Sequence, residues 1–146
     1  MTISVDVNDS PKLYFHFKDI YGDDFAPEFS ELDSLTYTVY RILDGQKVPV
    51  EDFVDVPIPG HCWRTPPAPF PDAIKGVSDD TINEGYTLEL FPYRVDDDGV
   101  LVSPFRWDRT RYLVVVTLEY FLDDAAIDAA LYRRELAVRV VTGANK

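Results

Sequence analysis

The chain reads as an all-β domain, a two-sheet antiparallel sandwich of seven or eight strands with one long Pro-rich loop. Three observations predict it. Apolar residues recur at every second position in several separate runs, the spacing of a strand with one buried face. Turn signals rich in Gly, Asp and Pro separate these runs at short intervals. Nine Tyr, nine Phe and two Trp supply rings that suit a pleated, half-buried surface, and eleven Pro against seven Gly argue against long helices. At 146 residues the chain is long enough to bury a proper core, so 1–146 is read as a single domain.

Leu13, Phe15 and Phe17 alternate with Tyr14, His16 and Lys18, which predicts the first strand and puts His16 on its outer face. The next segment, Asp19 to Asp33, is acidic and irregular. Leu35, Tyr37 and Val39 then share one face, Thr36 and Thr38 the other, and the run ends at Asp44-Gly45. Gly accepts the positive φ of a tight hairpin turn, so Gln46 to Val50 is expected to return alongside. Phe53, Val54 and Val56 extend that return or start another strand. From residue 57 to 80 the pattern breaks, because prolines 57, 59, 66, 67, 69 and 71 remove backbone donors and forbid regular pairing. Trp63 and Phe70 are costly to leave in water, so this loop is expected to dock onto something.

Beyond it, Tyr86, Leu88 and Leu90 alternate with Thr87 and Glu89, and Asp96-Asp97-Asp98-Gly99 turns the chain into Val100 to Val102, a second hairpin. Tyr112 to Leu122 is the longest predicted strand, with Tyr112, Val114, Val116, Leu118, Tyr120 and Leu122 on one apolar face. Asp123 to Ala130 reads as a loop or one helical turn, since Ala favours helix but the piece is too short to hold one alone. Leu136, Val138 and Val140 close the sheet with Ala137 and Arg139 facing away.

Charge narrows the partners. Formal net charge is −12, and such a surface repels phosphate backbones, so nucleic acid is not an expected ligand. Residues 1–100 carry 20 acids and seven bases, whereas 101–146 carry six acids and seven bases, so the C-terminal third offers the surface suited to an acidic partner. Cys62 is the only cysteine, which excludes an internal disulfide and a cysteine-based metal cluster. Residues 1–6 lack the basic and apolar regions of a signal peptide, and no apolar run approaches the roughly 20 residues of a membrane helix. Synthesis in a cytoplasm and no membrane partner are the expectations.

No active site, cofactor or metal is predicted. Of the two histidines, His16 lies in a strand and His61 adjoins Cys62 in the Pro-rich loop, and no local motif pairs either with a nucleophile. The acidic pairs 23–24, 79–80, 96–98 and 123–124 offer oxygens to calcium, but Gly99 falls too early for an EF-hand and no Glu closes that loop. Solvated turn carboxylates are the plainer reading. Phe105-Arg106-Trp107-Asp108-Arg109-Thr110-Arg111-Tyr112 is the most specific cluster. Three Arg among three rings is the composition of an interface anchor, flat apolar area with forked donors for carboxylates. A connector whose Trp plugs one end of the sandwich fits the same residues. The docking residues read from the chain are Trp63, Phe70, Arg106, Trp107 and Arg109.

The run Leu35-Thr36-Tyr37-Thr38-Val39-Tyr40-Arg41 leading to Asp44-Gly45-Gln46-Lys47-Val48-Pro49-Val50, with the closing segments Tyr112–Tyr120 and Tyr132–Val141, resembles small phage structural proteins with an Ig-like β-sandwich. The likeness is one of pattern over about two-thirds of the chain, and the insert from Pro57 to Pro71 departs from it. It implies a non-catalytic accessory virion protein that decorates capsid or tail, made in the host cytoplasm, with capsid or tail subunits and copies of itself in a symmetric array as partners. Two other classes stay open: a carbohydrate-binding module stacking sugars on Trp63, Trp107 and Tyr rings, and an inhibitor of a host protein whose acidic surface mimics nucleic acid.

Overall fold

A strand with alternating side chains buries its apolar face only where another element covers it, and the computed structural model shows which elements do so in this chain. It describes residues 2–18, 27–69, 85–124 and 127–143, with backbone pairing alone over 121–134. The strands are β1 (Thr2–Val5), β2 (Leu13–Phe15), β3 (Leu32–Leu43), β4 (Gln46–Pro49), β5 (Val56–Pro57), β6 (Trp63–Ala68), β7 (Tyr86–Leu90), β8 (Arg94–Val95), β9 (Leu101–Val102), β10 (Arg111–Asp124) and β11 (Ile127–Thr142). Two short 3-10 turns, Phe29–Glu31 and Gly60–Cys62, complete the described elements.

The larger sheet has the order β1-β11-β10-β3-β4, with β5 also on β3. All its pairings are antiparallel except β1 on β11, which is parallel. A three-stranded sheet, β2-β7-β6, and the small β8-β9 hairpin make up the rest. The apolar face read from β10 is the centre of the core: Tyr112, Val114, Val116 and Leu118 are buried beside Leu35, Tyr37 and Val39 of β3 and Leu136, Val138 and Val140 of β11. Leu13, Phe15 and Phe17, Leu88 and Leu90 join them in one cluster, so the two sheets share a single core. Each such side chain contributes about 1.5–3 kcal/mol by leaving water. The predicted turn at Asp44-Gly45 is present: both residues have positive φ (51° and 78°) and Leu43 pairs with Gln46 across them.

Several expectations are corrected. The described strands number eleven, because β1 and β8 are too short for a periodic signal and β6 lies within the Pro-rich stretch. The Pro-rich stretch is not free of pairing: β6 runs beside β7, with Trp63 opposite Leu88 and Ala68 opposite Tyr86. Pro66 and Pro67 fall in the offset stretch between those positions, on an edge strand, where a missing donor breaks no ladder bond. Residues 70–80 of that predicted loop lie outside the described residues. Asp123 to Ala130 is strand wherever it is described, with Leu122 opposite Ala130 and Asp124 opposite Ile127, which makes the 16-residue β11 the longest strand. Cross-strand hydrogen bonding there outweighs the weak helical preference of Ala. The acidic turn at 96–99 joins β8 to β9 rather than extending from β7. His16 is fully buried and not on an outer face.

Candidate docking surface

The segment between β9 and β10 is fastened from the inside before it presents anything outward. Ser103 Oγ accepts a hydrogen bond from Phe105 N (3.0 Å) and donates to Asp9 O (2.5 Å), while Asn8 N donates to Phe105 O (2.7 Å). The Phe105 ring is fully buried and meets Tyr112 edge-on at 5.1 Å between centroids. Phe105 is therefore the plug at this end of the core, and Trp107, 38 % exposed, is not.

Trp107 is pinned by its backbone. Tyr112 Oη accepts from Trp107 N (2.9 Å) and donates to Trp107 O (3.2 Å), and Thr142 Oγ1 donates to the same carbonyl (2.6 Å). Thr110 N donates to Thr142 Oγ1 (3.2 Å), and Thr110 Oγ1 donates to Asp108 O (3.0 Å), which closes the turn. Gly143, at φ 61°, packs so closely on the Asp108 carboxylate that a Cβ there would overlap it. The two ends of the chain's last hairpin thus hold one loop rigid.

Over the Trp107 ring lie two guanidiniums, Arg41 at 4.1 Å and Arg106 at 5.2 Å from its centroid. Arg41 reaches it because β3 sets Arg41 directly opposite Tyr112. Its Nε is buried without a hydrogen-bond partner. Arg109 is exposed in the same turn at φ 53°. Among the described residues, none of Arg41, Arg106 and Arg109 forms an ion pair. Burial pushes the Tyr112 hydroxyl up, and the hydrogen bond with the Trp107 backbone and the charges of Arg41 and Arg106 pull it back only in part. On a chain of net charge −12 this is a local cationic end, with forked donors against a flat ring. Guanidiniums so placed can donate paired hydrogen bonds to carboxylates.

Arg106 lies over the Trp107 ring, Arg109 is exposed in the same turn, and Arg41 also reaches the ring, which sequence reasoning missed because it stands 66 positions from Trp107 and nothing local marks it. Trp63 is corrected. It is only 6 % exposed, tilted against Phe17 at 5.7 Å, and its Nε1 donates to Pro27 O (2.7 Å), so it belongs to the core and has little surface for a partner. Phe70 lies outside the described residues.

The remaining candidates have local roles. His61 is exposed, and its carbonyl accepts from the Arg64 guanidinium. Burial and then the Glu89 charge push the Cys62 thiol up, opposite to the activation a thiol nucleophile needs. Asp96 Oδ1 accepts from Asp98 N and Val100 N (2.9 Å each), so this carboxylate caps its own turn. Acidic pairs 23–24 and 79–80 lie outside the described residues. Set beside known protein families, curated proteins and solved structures, the chain matches none of them.

Proposed function

We propose that this chain is a non-catalytic docking module with an Ig-like sandwich, an accessory component of a phage particle that attaches to capsid or tail subunits through its Trp107 end. The Ig-like reading is supported by strand order. β11-β10-β3-β4 follows the G-F-C-C′ order of a variable-type sheet, and β2-β7-β6 follows B-E-D of the facing one. Tyr112, at the start of the F-like strand and bonded back to the Trp107 backbone, has the placement of a tyrosine corner. No disulfide joins the sheets, and apolar side chains such as Phe15 and Val114 fill the space between them.

One observation carries the docking reading: a solvent-facing indole stacked by guanidiniums, on a loop whose backbone is held by Tyr112 and Thr142. Such a loop loses little conformational freedom on binding, and Trp with Arg is the composition of interface hot spots. The particle assignment rests on the sequence resemblance and the strand order together. Its test is a mass-spectrometric inventory of purified particles, followed by incorporation of Trp107→Ala and Arg109→Ala chains. Loss of attachment by about tenfold or more is expected for each, as for hot-spot truncations. Absence of the chain from particles overturns the virion reading, and full incorporation of both variants overturns the site.

A further inference from the structure

A second surface remains, made of different residues. Among the described residues, the four most exposed large apolar side chains are Leu101 (61 %), Val100 (56 %), Val95 (52 %) and Val54 (50 %). Three belong to the β8-β9 hairpin, where Val95 and Leu101 face each other as a cross-strand pair. The hairpin's base is tied down by Arg94, whose guanidinium meets Asp52 Oδ2 at 2.5 Å and so joins it to the turn that carries Val54. That pair neutralises the cation of the hairpin. At the tip Asp96 is used by its own turn, while Asp97 and Asp98 are exposed and, among the described residues, enter no ion pair. The result is an apolar finger with two free carboxylates, and exposed apolar patches of this kind mark interaction sites.

The outward face of the larger sheet offers the complementary chemistry. There Arg111 stands opposite Val141 and Leu113 opposite Arg139, so the two Arg are diagonal neighbours, about 7–8 Å apart by sheet geometry. With Ile42 they border an open concavity of about 510 Å³. Neither Arg has an ion pair among the described residues, and like charges this close on one face repel unless an acid lies between them.

We infer that the β8-β9 hairpin of one copy docks on the Arg111–Arg139 groove of a second copy. Asp97 and Asp98 meet the two guanidiniums, and Val95 and Leu101 cover Leu113, Ile42 and Val141. Hairpin and groove are different patches, so the contact is heterologous and propagates from copy to copy, as an open chain or a closed ring. This goes beyond the Trp107 surface and shares no residue with it.

The experiment is sedimentation velocity on the isolated full chain, without any particle, so its outcome stands apart from the attachment assay. The average mass is expected to rise from monomer to beyond dimer as concentration climbs from about 1 µM to about 1 mM, the range of modest affinities. It falls back when ionic strength goes from about 0.01 M to about 1 M, where screening removes charge pairing. Leu101→Asp removes the finger and Arg139→Glu the groove, so each variant alone stays monomeric. Mixed one to one, they give a two-chain complex and nothing larger, because one intact finger meets one intact groove. Should Leu101→Asp lose its strand signal in circular dichroism, the double variant Asp97→Lys with Asp98→Lys takes its place. A wild-type chain that remains monomeric throughout overturns the inference. So do single variants that still assemble, or a mixture that stays monomeric.

Discussion

At the scale of single residues, the Phe105–Trp107 pair separates packing from presentation. Phe105→Ala empties a fully buried site against Tyr112, and a loss of about 3–5 kcal/mol is expected. Trp107→Ala removes a part-exposed ring and its cation–π contacts, each of about 0.5–1 kcal/mol where solvent reaches them, so a loss of about 1 kcal/mol is expected. Urea unfolding of both variants checks the contrast, and a Trp107→Ala loss as large as that of Phe105→Ala would make the indole a core group. Tyr37 gives a pH signature. It is 4 % exposed, and burial pushes its hydroxyl from 10.0 up to about 12, a backbone hydrogen bond from Tyr93 offsetting only part. The folded state thus holds this proton when the unfolded state has released it. The contribution, about 2–3 kcal/mol, is complete below pH 10 and lost as pH climbs toward 12. Tyr37→Phe is expected to flatten the alkaline fall in stability across that window, read from unfolding midpoints, and equal slopes in both proteins would place its origin elsewhere.

At the scale of elements, the β3–β4 hairpin shows local chemistry setting a register. Asp44 and Gly45 both sit at positive φ, the two-residue turn whose twist matches its strands. Nothing lies within 4 Å of where a Cβ on Gly45 would stand. The cost of Gly45→Ala is therefore conformational alone, about 1–2 kcal/mol, with the core untouched. A midpoint shift in urea of that size with an unchanged slope is expected, and a much larger loss would mean that the turn supports more than its own hairpin. β6 teaches the opposite lesson. Its Pro content is incompatible with a central strand, yet the topology places it at an edge, and there the prolines are tolerated.

At the scale of the molecule, charge works against the fold. Twenty-six acids against 14 bases make the compact state repel itself, and all of the excess lies in residues 1–100. Raising salt to about 0.5 M is expected to stabilise the isolated chain by an amount on the order of 1 kcal/mol, seen as a higher melting temperature at a concentration where it is monomeric. A melting temperature that falls with salt would mean that pairs such as Arg94–Asp52 and Lys12–Glu89 outweigh the repulsion.

The sequence by itself determined the all-β class, the inward residues of β3, β10 and β11, the Asp44-Gly45 turn and the grouping of Arg106, Trp107 and Arg109. Each depends on residues close along the chain, whose period of two or turn chemistry acts before any distant partner is chosen. Only the tertiary structure decided the parallel seat of β1 on the last strand, the strand pairing of Pro-rich β6, the burial of Trp63 under Phe17 and Pro27, and the place of Arg41 over Trp107. It also decided that Phe105 fills the end of the core, leaving the neighbouring indole in solvent. The Asp97–Asp98 finger and the Arg111–Arg139 groove are of this kind too: their residues are plain in the chain, but their exposure and their shared faces follow from which strands pair. Those pairings join residues tens of positions apart, and burial follows from them, because a side chain leaves water only when another element is there to cover it.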